Sequence, residues 1–214
     1  MTESHLPPSP LTWAYADEWT EEPSEVAEAR RRAKDMGAPT PSRAVGAFLR
    51  SLVAATRAHS VVEVGSGTGV TGGWILDGLP AEGTLTTVDP DSAMQTAARD
   101  TFARMGVSHT RVRTIAGAPR AVLPRLSDGA YDLVIVGPGT ETEGEEGHAL
   151  LAEAHRLLSP GGSIVITPVF GAEGMLASRH DLVQHVRDDP EWIAAVLTVG
   201  EGVVLAAHRG HVAP

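Results

Sequence analysis

Two periodicities of apolar residues alternate along most of the chain. Short β-branched runs, such as 60–64 and 131–136, are typical of strands that are buried on both faces. Longer segments with apolar residues every three or four positions, such as 41–56 and 145–158, indicate amphipathic helices. Their alternation predicts an α/β fold, in which a mostly parallel sheet carries helices on both faces and binds its ligand at the carboxyl ends of the strands.

The order of these segments predicts a sheet of seven strands. We expect strands at 60–64, 84–88, 111–115, 131–136, 163–167, 193–198 and 202–207. We expect helices at 23–36, 41–56, 92–105, 119–126, 145–158 and 177–188, and one more that begins near Val70. Gly200-Glu201-Gly202 predicts a hairpin between the last two strands, which adds an antiparallel strand to the sheet.

The first part of the chain differs from this pattern. Residues 1–56 form a helical extension in front of the core at 57–214, and a length of 214 residues favours a single domain. Trp13, Tyr15 and Trp19 lie close together in this extension. We favour packing of these aromatic side chains against the core, and a cap over a substrate pocket or a dimer contact are the alternatives.

The first core strand leads directly into a glycine-rich turn, with Gly65, Gly67 and Gly69. Glycine lets the chain turn sharply and brings its backbone close to a ligand. The second strand leads to Asp89, about 20 residues after the last glycine, where a nucleotide-binding fold carries the acid that binds ribose. Strand, glycine turn, helix, strand and acid together predict a site for a nucleotide-type cofactor.

The spacing of the glycines narrows the choice of cofactor. A dinucleotide site reads G-x-G-x-x-G, and its last glycine leaves room for the pyrophosphate. Here the third glycine comes one residue early, and Val70 stands at the position that NAD requires. Glu63, near the end of the strand, would also repel a diphosphate. An NAD-linked oxidoreductase is therefore disfavoured.

The run Val62-Glu-Val-Gly-Ser-Gly-Thr-Gly69 resembles motif I of the class I S-adenosylmethionine-dependent methyltransferases. Segments 41–49, 117–124, 131–136, 157–162 and 199–206 resemble the small O-methyltransferases of the catechol and caffeoyl-CoA type. The resemblance covers most of the chain. It implies a Rossmann-like class I methyltransferase fold, S-adenosylmethionine as the cofactor, and methyl transfer to an oxygen of a small-molecule acceptor.

The resemblance also implies which residues bind the cofactor. Glu63 would hold the cationic methionine end, and Asp89 would hold the ribose hydroxyls. The hydroxyl of Thr71 would bind the cofactor carboxylate, while backbone near Pro41 lines the methionine and backbone near Ala118 borders the adenine. The complete expected set is Pro41, Glu63, Gly65, Ser66, Gly67, Gly69, Thr71, Asp89, Ala118 and Gly137.

The catalytic part of the sequence departs from the family. Such enzymes usually continue the fourth strand with Asp-x-Asp-Lys and end the fifth with Asp-Asn; the first aspartate and Asp-Asn bind a divalent metal, and the lysine is a base. Here the matching runs are Gly137-Pro-Gly-Thr140 and Thr167-Pro168, so we expect no metal. The glutamates at 141–146 are an alternative ligand set, but we favour a solvated helix start.

No catalytic residue is evident. His148, at the start of the helix that follows the fourth strand, is a weak candidate for a general base, and a surface histidine is the simpler interpretation. Two functions stay open. One is an O-methyltransferase that works without a metal, and the other is a catalytically silent protein that binds the cofactor in a regulatory or structural role.

Composition limits the partners. The formal net charge of −10 disfavours non-specific binding to nucleic acid or to anionic membranes. The chain has no cysteine, which excludes disulfides and thiolate chemistry. It has no apolar run of transmembrane length and no leader of the secretory type, so we expect a cytoplasmic protein. The family resemblance implies a homodimer.

Overall fold

The computed structural model describes residues 10–171, 174–175 and 177–209. Helices lie at Pro10–Trp19 (α1), Ser24–Asp35 (α2), Arg43–Thr56 (α3), Val70–Gly78 (α4), Ser92–Arg104 (α5), Pro119–Val122 (α6), Gly144–Leu157 (α7) and Ala177–Asp188 (α8). Strands lie at Ser60–Val64 (β1), Thr84–Asp89 (β2), Val112–Ala116 (β3), Tyr131–Val136 (β4), Leu158–Ile166 (β5), Phe170–Gly171 (β6), Gly174–Met175 (β7), Trp192–Leu197 (β8) and Val203–His208 (β9).

Seven of these strands form one sheet in the order β3-β2-β1-β4-β5-β9-β8. The first five are parallel, and β9 lies antiparallel between β5 and β8. This confirms the predicted Rossmann-like fold and its antiparallel C-terminal strand. The strand order reverses between β1 and β4, and in open α/β sheets the ligand crevice lies at that point, beyond the carboxyl ends of the strands.

Hydrophobic cores cover both faces of the sheet. Strand β1 contributes to both, because neighbouring side chains of a strand point to opposite faces. Val62 and Val64 pack in the core that includes residues of α7 and α8, whereas Val61 packs in the core that includes α3, α4 and α5. A central strand buried on both faces explains why its sequence is a nearly continuous apolar run.

Two predicted elements differ from the structure by more than two residues in their bounds. Strand β5 begins at Leu158, five residues before the predicted start, and a register shift between Tyr131 and Leu133 on β4 accommodates the extra residues. The predicted helix at 119–126 is the short α6 followed by a 3₁₀ turn at Leu123–Arg125. Pro124 lies in that turn and has no N–H for an α-helical hydrogen bond.

The prediction that the N-terminal aromatic side chains pack against the core is wrong for Tyr15 and Trp19. Tyr15 and Trp19 are 68% and 74% exposed, and they lie four residues apart on one face of α1. The contact with α3 is polar instead, because Asp17 accepts a hydrogen bond of 3.0 Å from the N–H of Ala44, in the first turn of α3. The side chain of Trp13 lies outside the described part of the structure.

Membrane-spanning segments can be judged from helix length and hydropathy. None of the helices in the described part of the chain is both long and apolar enough to cross a lipid bilayer.

Candidate functional site

A cleft of about 790 Å³ lies at the predicted edge of the sheet. The loop after β1, the end of β2 and the loop after β4 form its floor. Residues of α6 and α7 form one wall, and the segment between α2 and α3 forms another. Of the predicted residues, those that line the cleft are Gly65, Gly67, Asp89 and Ala118.

The backbone of the glycine loop approaches the cleft without side chains in the way. Gly65 has a φ of +93°, and a Cβ there would lie 2.6 Å from Oγ1 of Thr140, so only glycine fits. Gly67 has a φ of +48°, and a Cβ there would have Pro39 O, at 4.0 Å, as its nearest neighbour. The peptide at Gly67 is therefore open to a ligand from above.

The carboxylate of Asp89 is fixed at the end of β2. Its Oδ2 accepts a hydrogen bond of 3.0 Å from the N–H of Gly67, and its Oδ1 accepts one of 2.9 Å from the N–H of Asp91. The residue is only 8% exposed, and it lines the cleft. Each oxygen keeps a second lone pair, so the carboxylate can accept two more hydrogen bonds from a ligand with neighbouring hydroxyls.

Glu63 lies beneath the loop rather than on the cleft wall. Its Oε2 accepts a hydrogen bond of 2.5 Å from Thr87, and the backbone N–H of Gly72 also bonds to it, while Oε1 is buried without a partner. Complete burial, reinforced by the nearby charge of Asp89, raises the pKa of Glu63 to about 8. In the free protein this acid joins β1, β2 and α4 and does not line the cleft, so its direct charge pairing with the cofactor stays a prediction.

Three other predicted residues are buried behind the wall. Ser66 lies 2.5 Å from the hydroxyl of Thr87 and accepts a hydrogen bond of 2.9 Å from Gln95, so it supports the loop from below. Thr71 is buried in the first turn of α4. Gly69 is the N-cap of the same helix, with a φ of +90°. These residues shape the loop, and none of them lines the cleft.

The N-terminal contribution to the cleft lies a few residues before the predicted one. Pro41 is buried, and its carbonyl accepts a hydrogen bond from Arg30. The cleft is lined instead by Gly37, Ala38 and Pro39, which sequence reasoning missed. The sequence does carry a signal for this segment, because Gly37 and Pro39 end the helix before them and so mark the start of a loop.

The wall around Ala118 includes residues from two helices. Pro119, Arg120 and Leu123 follow it, and Glu146, Ala149, Leu150 and Glu153 of α7 line the cleft too. Arg120 pairs with Glu146 at 3.0 Å, which links the short α6 to α7 across the cleft edge. The sequence alone did not indicate the contribution of α7.

A buried cation lies next to the end of β4, in the region where O-methyltransferases of the catechol type usually carry carboxylates. Arg179 of α8 donates a hydrogen bond of 3.1 Å from Nη2 to the carbonyl of Gly137. The residue is 3% exposed, its Nη1 has no partner among the described residues, and desolvation lowers its pKa to about 10. Gly137 itself does not line the cleft, whereas Pro138, Gly139 and Thr140 do.

These strand ends do not fit a divalent metal. Mg²⁺ requires oxygen ligands, usually carboxylates. The carbonyl of Gly137 is already bonded to a guanidinium, which would repel a second cation, and the hydroxyl of Thr167 donates to the carbonyl of Gly202 at 3.1 Å. Among the described residues, the glutamates at 141–146 are not part of any group of three close enough to share one ion.

His148 is not placed to act as a base. It is exposed, and its ring lies 5.0 Å from the ring of His185 on α8. It does not line the cleft, whereas residues 146, 149, 150, 152 and 153 of α7 do. Glu141, in the loop after β4, is a titratable side chain that does line the cleft near Thr140; the sequence analysis considered it only as part of an alternative set of metal ligands.

Comparison with known proteins places the chain in a family. The family model described as "Methyltransferase domain" matches residues 61–162. A Mycobacterium sp. (strain JLS) protein, provisionally named as an O-methyltransferase, is 37% identical over 203 residues, which cover 91% of this chain and 90% of that protein. A similarly named protein of Mycolicibacterium vanbaalenii is 38% identical over 202 residues, which cover 90% and 88% of the two chains.

Solved structures show the same architecture. Cofactor-bound Rv0187 from MTB has a TM-score of 0.83 at 26% identity, and the match covers 96% of this chain and 100% of that one. The Bacillus cereus O-methyltransferase, solved in complex with SAH, has a TM-score of 0.78 at 20% identity, with 92% and 99% covered. With the glycine loop and the acid at the end of β2, these relatives establish that the chain belongs to the class I S-adenosylmethionine-dependent O-methyltransferases.

Proposed function

We propose that this enzyme transfers the methyl group of S-adenosylmethionine to an oxygen of a small molecule without a divalent metal. The main support for the proposal is the difference between two sets of strand ends at the same edge of the sheet. A fixed carboxylate, Asp89, faces the open glycine loop, whereas a guanidinium occupies the strand ends where a metal would need carboxylates.

The residues of the cleft fit S-adenosylmethionine. The open backbone at Gly67 and the two free lone pairs of Asp89 suit a nucleoside with neighbouring ribose hydroxyls. Ala118 and Leu123 offer an apolar wall for the adenine, and Gly65 lines the floor where the methionine part would lie. When bound, S-adenosylmethionine supplies an electrophilic methyl group, and the protein contributes by holding an acceptor in line with it.

Several of the expected cofactor residues would act indirectly. Glu63, Ser66 and Thr71 are buried and would support the loop from below, and Gly69 would set the start of α4. Pro39 would take the place that we expected for Pro41. Because Pro39 belongs to the N-terminal extension, we infer that 1–56 and 57–214 work as one domain.

Glu141 is our proposed base for the acceptor hydroxyl. It lines the cleft in the loop that starts at the end of β4, and Thr140 of that loop donates a hydrogen bond of 2.9 Å to the carbonyl of Val64, next to the glycine turn. A carboxylate in this loop can accept a proton as the oxygen attacks the methyl group. An acceptor that ionises easily, such as a phenol, suits such a weak base.

We also propose a homodimer located in the cytoplasm. The exposed aromatic residues Tyr15 and Trp19 on α1, and Ile193 and Val196 on the edge strand β8, are apolar surfaces that a second copy could cover. The cytoplasm is where S-adenosylmethionine is available to an enzyme. Light scattering coupled to size-exclusion chromatography tests the dimer, and a monomeric mass would contradict it.

Two measurements on the purified chain test the proposed activity. Calorimetric titration with S-adenosylhomocysteine should give one binding site per chain. Incubation of the chain with S-adenosylmethionine and a panel of phenols should then form methylated product. Binding without product from any phenol would favour the catalytically silent alternative, and absence of binding would overturn the site itself.

A further inference from the structure

A second group of polar side chains lies at the opposite edge of the sheet from the cleft. His155 is in the last turn of α7, Glu191 directly precedes β8, and His208 ends β9. Strand β9 runs antiparallel to β5, so its last residue lies beside the start of β5 and away from Ile166, at the cleft end. The three elements therefore meet far from the proposed methyl-transfer site.

The three side chains converge on one point. One ligand atom from each of them lies within 4.8 Å of the other two, and each residue is half-buried. The rings of His155 and His208 have their centroids 4.2 Å apart, and Nε2 of His208 lies 4.0 Å from Oε2 of Glu191.

The backbone and an aromatic ring hold this group in place. Trp192 pairs with His208 in the β8–β9 ladder, and its ring lies 5.6 Å from that of His208 and 5.7 Å from that of His155. The N–H of Arg209 donates a hydrogen bond of 2.9 Å to the carbonyl of Glu191. The frame is therefore fixed, while the side chain of Glu191, 47% exposed, can still move toward the histidines.

We propose that His155, Glu191 and His208 bind a transition-metal ion such as Zn²⁺, which ties α7 to the outer hairpin of the sheet. Two imidazoles and one carboxylate are a donor set that zinc accepts, with bonds of about 2.0–2.2 Å and a water in the fourth position. The ligand atoms lie within 4.8 Å of one another, so rotations of Glu191 and of both imidazoles would have to bring them closer to the separation that a tetrahedral ion requires. This role is structural and does not depend on the proposed activity.

The untagged, metal-stripped full chain tests this proposal with ZnCl₂ as the probe. We expect one zinc per chain by calorimetry and a rise in Tm of roughly 5–10 °C at a free zinc concentration about 100 times the Kd. Co²⁺ in place of zinc should give the intense visible absorption of four-coordinate cobalt.

Two ligand variants and one control make the result specific. His155→Ala and the more conservative Glu191→Gln should each weaken zinc binding at least about tenfold, whereas His109→Ala, at an exposed histidine elsewhere, should not. Zinc affinity unchanged in both ligand variants, or no zinc binding by the wild-type chain, would overturn the proposal. The three groups would then be a simple polar contact between α7 and the hairpin.

Discussion

The carboxyl edge of the sheet has two parts with opposite chemistry, which we call the cofactor half, at the ends of β1 and β2, and the acceptor half, at the ends of β4 and β5. At the ends of β1 and β2, an open glycine loop faces the carboxylate of Asp89, which two backbone N–H groups hold. At the ends of β4 and β5, the loop carries no carboxylate at the expected ligand positions, and the buried guanidinium of Arg179 bonds to the carbonyl of Gly137.

This difference separates cofactor binding from acceptor activation. The first half keeps what a sulfonium nucleoside requires, namely a close backbone and an acid for the ribose. The second half lacks carboxylates at the expected ligand positions and holds a buried guanidinium next to the end of β4. Family membership therefore predicts the cofactor more securely than it predicts how the acceptor is activated.

The largest effect should come from the acceptor half. Glu141→Gln removes the proposed base but keeps the shape of the side chain, so kcat should fall by roughly 10²–10⁴-fold. The affinity for S-adenosylhomocysteine should stay the same. Glu145→Gln, at an exposed glutamate of the same segment, is the matched control. A kcat within about twofold of the wild type in Glu141→Gln would remove this residue from the mechanism.

The next effect tests the cofactor half. Asp89→Asn removes the charge that faces the ribose, and a charge-assisted hydrogen bond is worth about 1.5–3 kcal/mol, so the Kd for S-adenosylhomocysteine should rise by roughly 10–150-fold. Calorimetry measures it directly. Asp77→Asn, at a surface carboxylate paired with Arg50, should leave the Kd unchanged. Equal affinities in the two variants would place the nucleoside elsewhere.

Arg179 of α8 bonds to the loop after β4, and its replacement should increase the stability of the fold while it decreases kcat. Arg179→Met removes a buried charge that bonds to one carbonyl and to no carboxylate among the described residues, so it should raise the free energy of unfolding by about 1 kcal/mol, since burying an unpaired charge is costly. The loss of its bond to Gly137 frees the loop that carries Glu141, so kcat should fall about tenfold. Arg187→Met, at an exposed position of the same helix, should change neither quantity. A variant as active as the wild type would show that the bond does not position the loop.

The last test concerns the stability contribution of the acid beneath the glycine loop, whose slope per pH unit is small. Burial raises the pKa of Glu63 from its ordinary value of 4.5 to about 8, so between these pH values the folded chain holds a proton that the unfolded chain has lost. The free energy of unfolding should therefore decrease as the pH rises from about 4.5 to about 8, by at most about 1.4 kcal/mol per pH unit from this group.

Urea unfolding across this pH range measures that slope. Glu63→Gln should make the dependence flatter, and the exposed control Glu82→Gln should not. An identical slope in the wild type and Glu63→Gln would mean that the carboxyl is ionised in the folded protein. It would then be available to the cationic end of the cofactor, as the sequence first suggested.

The sequence predicted the fold well because the signals are local. Buried β-branched runs and helical periodicity mark the core elements, and the glycine spacing with Asp89 marks the cofactor edge. The sequence was less informative about the site, because the role of a site residue depends on which way its side chain points. Glu63 and Asp89 both end strands, yet only packing against Thr87 and Gly72 turns Glu63 away from the cleft.

Long-range contacts explain the other failures. Arg179 lies 42 residues after Gly137, and no local pattern connects the two. His148 has the right chemistry and a plausible position in the chain, but the phase of α7 turns it toward α8. Tyr15 and Trp19 were expected to pack because they are large and apolar, yet the inner face of α1 uses Asp17 to meet the start of α3.

The central claim is that methyl transfer in this cleft needs no divalent metal. The most direct test is the initial rate of methylation of a phenol that the enzyme accepts, measured with and without EDTA in the wild type and in His155→Ala. Because His155→Ala removes a ligand of the proposed zinc site, an effect of EDTA on that variant would come from the cleft. We predict equal rates under both conditions in both proteins. A rate that is lost on chelation and restored by Mg²⁺ would contradict the claim.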